Sequence, residues 1–318
     1  MSIAPFGAAL DSVAVHYPTS WRMTQQGTVA RETGGTALDG ATCTFPAGAI
    51  TGLLGRNGAG KTTMIGLLAG FRRPTSGTVR VGPEGYERDP WENPAIVSGV
   101  QVVRESGDVM PDEKVGVTLR HYGAVRPEWD ADYAERLLDL FEVDTRKNPA
   151  SLSRGKRSAL GATIGLASRA PLTIFDEVYL GMDAPTRYAF YDELLKDYAE
   201  HPRTIILSSH LVGETERLFE HVVVVDRGRV LLAEPAEDMR ARGTSLTGNA
   251  TAVDHLAAGH RLLHRQELGP TVMVTVEGSL AEQEAAEAAD SGVQVGSVPL
   301  QDLFVHLTST TAQKESER

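Results

Sequence analysis

The stretch Gly55-Arg56-Asn57-Gly58-Ala59-Gly60-Lys61-Thr62, followed by Thr63, constrains this chain more than any other. It meets G-x-x-x-x-G-K-[ST] at every fixed position. A β-type run, Ala49 to Leu54, leads into it, and an apolar helical run, Met64 to Ala69, leads out. That strand–loop–helix setting is what a phosphate-binding loop requires. Gly55, Gly58 and Gly60 let backbone N–H groups turn inward around phosphate oxygens, with Asn57 and Thr63 in the same cradle. The helix N-terminus adds partial positive charge. Lys61 is expected to reach the outer phosphates and Thr62 to hold Mg²⁺. The competing reading, a glycine-rich turn with a chance lysine, does not account for the flanking elements.

The order of the remaining elements predicts an α/β chain. Residues 9–17 and 37–54 read as strands. Between them, residues 18–36 are polar and glycine-rich and predict an extended surface hairpin. Thr78 to Val81 reads as a short strand and Ile96 to Val103 as an apolar, β-branched one. Residues 113–143 look mostly helical, and Ser158 to Ser168 carries Leu160, Ile164 and Ala167 on one helix face. Buried-type strands at Leu172 to Phe175 and Thr204 to Leu207 flank a helix at 185–199, which predicts a right-handed parallel crossover. Val222 to Val225 turns at Asp226-Arg227-Gly228 into a last strand, Arg229 to Leu232.

Composition changes near 241–252, which is rich in Gly, Ser, Thr and Asn. The domains predicted are therefore 1–240 and a small C-terminal extension, 241–318. The extension holds a strand at Thr271 to Val276, an acidic alanine-rich helix at 279–290 and an amphipathic piece, Leu300 to Leu307. The tail, Thr308 to Arg318, is expected to be disordered.

A net charge of −11 argues against a nucleic-acid partner held by a basic surface. Cys43 is the one cysteine, so no internal disulfide can form. It reads as a small core residue. The N-terminus lacks the basic flank of a signal peptide. No apolar run approaches the ~20 residues needed to span a bilayer.

Chemistry beyond the loop clusters at strand ends. Asp176 and Glu177 close the apolar strand Leu172 to Phe175, where a carboxylate points toward the ligand crevice of a parallel sheet. Asp176 can join a Mg²⁺ shell and Glu177 can polarise an attacking water. Ser151-Leu152-Ser153-Arg154-Gly155-Lys156 precedes a helix and offers either a second anion site or an ordinary cap. His210 follows the strand Thr204 to Leu207 and can hydrogen-bond a terminal phosphate; taken alone it would read as structural.

Taken together and in this order, these motifs over residues 9–235 make the chain resemble the nucleotide-binding subunit of an ABC transporter. The resemblance implies a P-loop NTPase fold with a mainly parallel core sheet, an N-terminal antiparallel β subdomain and a helical subdomain at about 106–168. Residues 55–63 match Walker A, and Leu172 to Asp176 match Walker B. Glu177 is then the catalytic glutamate and His210 the switch histidine. Gly181-Met182-Asp183 stands at the D-loop, so Asp183 is expected to help join two subunits. Tyr17 stands where the family places an aromatic that stacks on adenine. Two departures are present. The signature Leu-Ser-Gly-Gly-Gln is Leu152-Ser153-Arg154-Gly155-Lys156 here, keeping Ser153 and Gly155, the groups expected nearest the γ-phosphate. The Q-loop glutamine is replaced by Glu105, which can still approach Mg²⁺ or its water; Gln101 lies inside the apparent strand.

The resemblance also implies partners and setting. ATP with Mg²⁺ is held between Walker A of one subunit and the Ser153–Gly155 segment of a second, either another copy or a related chain. A separate multi-span permease does the transporting. The expected location is cytoplasmic, at the inner face of the cell membrane through that permease. The C-terminal piece is similar to the tails of exporter ATPases, which favours export. The alternatives are a regulatory ABC ATPase not coupled to transport and a poorly hydrolysing ATP-binding module.

Overall fold

A computed structural model describes residues 4–18, 20–23, 29–32, 34–104 and 109–316. The chain forms two compact units, Met1–His210 with Val223–Ala233, and Leu211–Val222 with Glu234–Arg318. The segments 211–222 and 234–240 thus belong with the C-terminal residues, although the sequence reading ran the first domain without interruption to residue 240.

The first unit opens with β1 (Phe6–His16), a hairpin of β2 (Ser20–Met23) and β3 (Val29–Glu32), then β4 (Thr36–Phe45) and β5 (Ile50–Leu54). The β2–β3 pair is antiparallel, as the expected hairpin requires; residues 24–28 between the two strands lie outside the described residues. After the loop come α1 (Lys61–Leu68), β6 (Ser76–Pro83), α2 (Pro94–Val97) and β7 (Val100–Arg104). The single strand predicted over 96–103 is therefore two elements. Pro94 opens a short helical turn, and the Gly99 N–H closes it onto the Ile96 carbonyl before the strand begins.

The helical subdomain follows: α3 (Val115–Val125), α4 (Ala131–Leu140) and α5 (Arg154–Ala167). Asp130 caps α4 through the Tyr133 N–H at 2.8 Å, and Ser153 caps α5 through the Lys156 N–H at 3.3 Å. Then come β8 (Leu172–Asp176), α6 (Ala184–Glu200), β9 (Thr204–Ser209), β10 (His221–Asp226) and β11 (Arg229–Pro235).

Two sheets position the site. β4-β1-β6 is antiparallel, and the larger sheet runs β11-β10-β5-β9-β8-β7. Within it β5/β9, β8/β9 and β7/β8 are parallel. This is the mainly parallel P-loop NTPase core with an antiparallel subdomain and a helical subdomain. One apolar core joins both sheets through α1: Leu10 and Phe45 on one side, Leu53, Ile174 and Ile206 on the other, with Met64 and Leu68 between them. Both of those α1 side chains are fully buried, each contributing about 1.5–3 kcal/mol as an upper bound. The helix that carries the loop is thus clamped from two sides.

Cys43 lies buried in β4, and burial pushes its thiol up to about 12. The thiolate is the reactive form, so at pH 8 a maleimide should label the folded chain far more slowly than the chain in denaturant. Equal rates in both states would remove Cys43 from the core.

The second unit holds α7 (Val212–Thr215), α8 (Ala236–Arg240), β12 (Gly243–Asn249), α9 (Ala250–Ala257), β13 (Leu262–Leu268), β14 (Thr271–Glu277), α10 (Glu282–Asp290), β15 (Gln294–Ser297) and α11 (Leu300–Ser316). The sheet order is β13-β14-β12-β15, all antiparallel. Strand–helix–strand–strand–helix–strand in this order is the ferredoxin-like arrangement. Its core is Leu246, Val253, Val272, Val274, Val276 and their neighbours. The C-terminal residues form a domain with its own core, a larger structure than a small extension. The predicted disordered tail is also corrected: α11 runs through Ser316. Among the described residues no helix is long and apolar enough to cross a membrane.

Candidate nucleotide site

The cradle is built on backbone geometry. Gly60 caps the N-terminus of α1 at φ +112°, a conformation open to glycine. A Cβ there would sit 2.7 Å from the Ala37 carbonyl oxygen and 2.9 Å from Leu38 Cδ2. The Gly228 N–H donates to the Ala59 carbonyl at 2.8 Å, and the Asp39 N–H donates to the Gly228 carbonyl at 2.9 Å. The loop is therefore held against β4 and the β10–β11 turn. The resulting cavity, about 320 Å³, is lined by Ala37, the run Arg56 to Thr63, and Glu177. Asn57, Gly58, Gly60, Lys61, Thr62 and Thr63 all lie in it. Gly55 lies beneath, its carbonyl accepting from Lys61 Nζ at 2.7 Å.

The acidic strand end meets this loop. Thr62 Oγ1 donates to Asp176 Oδ2 at 3.1 Å. Lys61, though buried, pairs with Glu177 Oε1 at 3.2 Å, and His210 Nδ1 lies 3.2 Å from the same oxygen. Lys61, Glu177 and His210 thus form one chain of contacts across the cavity wall. Glu177 has φ +53°, which turns its side chain off the strand. Tyr179 is buried just beyond and donates from its hydroxyl to Ser209 Oγ at 2.8 Å, fixing the turn to the end of β9.

Burial raises the Asp176 carboxyl above its ordinary value, against the pull of the Thr62 hydroxyl, so this acid gains from any cation brought beside it. Thr62 and Asp176 supply hard oxygen donors. Among the described residues no group of three or more His, Cys, Asp or Glu side chains could hold a metal. Mg²⁺ keeps waters and takes one or two protein oxygens plus phosphates, and the oxygens of Thr62 and Asp176 are donors of that kind.

Tyr17 follows β1, and its hydroxyl is 3.1 Å from Thr63 Oγ1. It is joined to the loop without lining the cavity. Ser153, Gly155 and Asp183 are not among the residues that line the cradle. A Cβ on Gly155 would fall 2.7 Å from the Gly181 carbonyl oxygen, so α5 packs backbone to backbone on the turn before α6. Asp183 caps α6 through the Thr186 N–H at 3.0 Å; the Thr186 side-chain hydroxyl first, and that N–H second, hold its carboxyl below the usual range. Lys156, which replaces the signature glutamine, is engaged within the chain: its ammonium donates to the Phe141 carbonyl at 2.7 Å and to Glu142 at 3.0 Å. It ties α5 to the end of α4. Gln101 is buried inside β7 and donates to the Val102 carbonyl. Glu105 lies outside the described residues.

Sequence reasoning missed two contributors. Ala37 forms a wall of the cradle, with no signal beyond its place in a strand. Arg72 stacks on Tyr17, and only its basic neighbourhood, Phe71-Arg72-Arg73, marks it.

Compared with known proteins, residues 38–179 match the family model for the ABC transporter. The chain is 35% identical over 187 residues to Nod factor export ATP-binding protein I of Cupriavidus metallidurans, covering 57% of this chain and 60% of that protein. It is 31% identical to the aliphatic sulfonates import ATP-binding protein SsuB of Rhodopseudomonas palustris, covering 61% and 66%. The chain spans about three fifths of the length of the first curated relatives it matches. Among solved structures, the ATP binding subunit of an ABC transporter superposes with TM-score 0.60 at 22% identity, covering 73% of this chain and 91% of that one. The dimeric post-hydrolysis state of an ATP-binding cassette bound to ADP and Pi gives TM-score 0.58 at 17% identity, covering 72% and 98%. These likenesses carry the fold. With its phosphate loop, serine-capped helix and acidic strand end all inside the matched segment, this chain carries an ABC transporter ATP-binding domain.

Proposed function

We propose that the chain binds ATP with Mg²⁺ in the cradle and hydrolyses it at an interface with a second ATP-binding subunit, driving transport through a separate membrane permease. The observation that carries this reading is the meeting of the loop with the strand end, Thr62 on Asp176 and Lys61 on Glu177. A motif match alone supplies residue types; this contact supplies their common focus.

In this reading the N–H groups of Gly58 to Thr62 and the α1 N-terminus bind the phosphates. Lys61 leaves Glu177 for the outer phosphates. Thr62 and Asp176 hold Mg²⁺, whose charge offsets that of the phosphate oxygens. Glu177, once released, orients and deprotonates the attacking water, and His210 contacts the terminal phosphate. Tyr17 stacks on adenine. Ser153, Gly155 and Asp183 serve the partner's nucleotide and the join between subunits, which fits their position outside this chain's own cavity lining. Glu105, outside the described residues, is the proposed replacement for the Q-loop glutamine and would approach Mg²⁺ or its water. Export is the proposed direction, on the likeness of the C-terminal piece to exporter tails and the naming of one relative for Nod factor export.

The test is MgATP binding and phosphate release by the purified chain beside Lys61→Ala. Loss of the lysine is expected to weaken binding at least tenfold and to bring phosphate release to the level seen with excess EDTA, since a charge-assisted contact to phosphate is removed. Unchanged affinity and turnover in Lys61→Ala would end the reading.

A further inference from the structure

The tyrosine beside the phosphate loop carries a partner on one face. Arg72, in the segment after α1, places its guanidinium carbon 4.4 Å from the centre of the Tyr17 ring. Its stem crosses α1 at Gly66, where a Cβ would lie 3.7 Å from Arg72 Cδ. That is ordinary contact distance, so the stem packs along this face of α1 on its way to the ring. Tyr17 is held at two further points, its hydroxyl by Thr63 Oγ1 at 3.1 Å and its backbone N–H by the Gly35 carbonyl at 2.8 Å. Even so, 42% of the residue is exposed, and among the described residues Arg72 is the group seen stacked on the ring.

We infer that Arg72 positions the nucleotide base: it caps one face of Tyr17 so that the purine stacks on the other, giving a guanidinium–phenol–purine sandwich. This rests on the ATP reading above and adds to it a residue that the phosphate-binding motifs do not include. Two physical effects support it. The cation is drawn to the ring quadrupole and fixes the ring plane before the base arrives, so less side-chain freedom is lost on binding. It also draws π density toward itself, leaving the opposite face better suited to an electron-rich purine. The geometry further makes the order of layers definite. A base on the Arg72 face would have to expel the guanidinium, whereas a base on the opposite face keeps it.

The experiment compares dissociation constants for MgATP and for magnesium tripolyphosphate, which has the phosphates and no base. The proteins are wild type, Arg72→Ala, Arg72→Lys, Tyr17→Ala and the double variant Tyr17→Ala/Arg72→Ala. Arg72→Ala is expected to weaken MgATP about two- to fivefold, the scale of an exposed cation–π contact, and to leave tripolyphosphate unchanged. Arg72→Lys should recover most of that loss. Tyr17→Ala should weaken MgATP about fivefold or more, by analogy with base–aromatic stacking, and adding Arg72→Ala to it should cost nothing further. Tighter MgATP binding by Arg72→Ala would overturn the inference, because the guanidinium would then be occupying the place of the base. So would an equal loss for tripolyphosphate, or a loss that persists without Tyr17. These results leave wild-type binding intact and remove Arg72 alone, whereas a wild-type chain that binds neither ligand removes the ATP reading together with it.

Discussion

Glu177→Gln is expected to lower phosphate release by two to three orders of magnitude while leaving MgATP bound. The amide keeps the shape of the carboxylate and one acceptor oxygen, so the turn at φ +53° and the contact with His210 can persist. What it loses is basicity, and removing a positioned general base costs about 10²–10⁴ in rate. Binding should not suffer. In the structure Lys61 is engaged by Glu177 at 3.2 Å, and any phosphate must compete with that carboxylate for the ammonium. The neutral amide weakens the competition, so affinity should rise or hold. The checks are single-turnover phosphate release and gel filtration with MgATP, where a species of twice the mass should accumulate. Turnover within threefold of wild type would take Glu177 out of the chemistry.

Asp197→Ala should destabilise the first unit by about 3–5 kcal/mol, because it strands a buried charge. Asp197 on α6 is 4% exposed and pairs with Arg203 at 2.7 Å and with Arg169 at 3.1 Å. Arg203, at the edge of β9, is 3% exposed. Arg169 also reaches Asp130 at 3.0 Å, and Asp130 is the cap of α4. One carboxylate thus anchors the helical subdomain to the catalytic sheet. The melting temperature should fall by on the order of 10 °C. A paired change, Asp197→Leu with Arg203→Leu, should recover much of the loss, since apolar replacement of a whole buried pair is often neutral. A shift of under 2 °C in the single variant would show the network to be dispensable. Comparing the melt with MgATP affinity separates this structural effect from any effect on the cradle.

The cradle was legible in the sequence because its chemistry is local. Lys61 and Thr62 must follow Gly60 directly, since the glycine conformation and the first helical turn set where their side chains point. Asp176 and Glu177 were legible because an apolar β run that ends in acids is a strand end, and strand ends in a parallel sheet share one side. The departures from pattern were less transparent. Lys156 replaces the signature glutamine, and it bonds the Phe141 carbonyl and Glu142, a contact made by the packing of α5 on α4. The 96–103 run held enough Val and Ile to read as strand throughout, and a proline-opened turn divided it. The C-terminal sheet was hidden for the opposite reason. β12 is Gly-Thr-Ser-Leu-Thr-Gly-Asn, with one strong apolar residue, but it pairs on both sides with β14 and β15, and those partners supply the backbone bonds its side chains do not advertise.

What the amino-acid order determined by itself is the phosphate loop, the strands that feed it and the acids that close the next strand, because each is set by residues within a turn of one another. The tertiary structure alone decided which of those groups touch. It put Lys61 on Glu177, 116 positions later in the chain, laid Arg72 across Gly66 onto Tyr17, and drew Asp197, Arg169 and Arg203 into one buried cluster. Such contacts follow from how sheets and helices pack around a shared core, and no spacing along the chain encodes the distance across it.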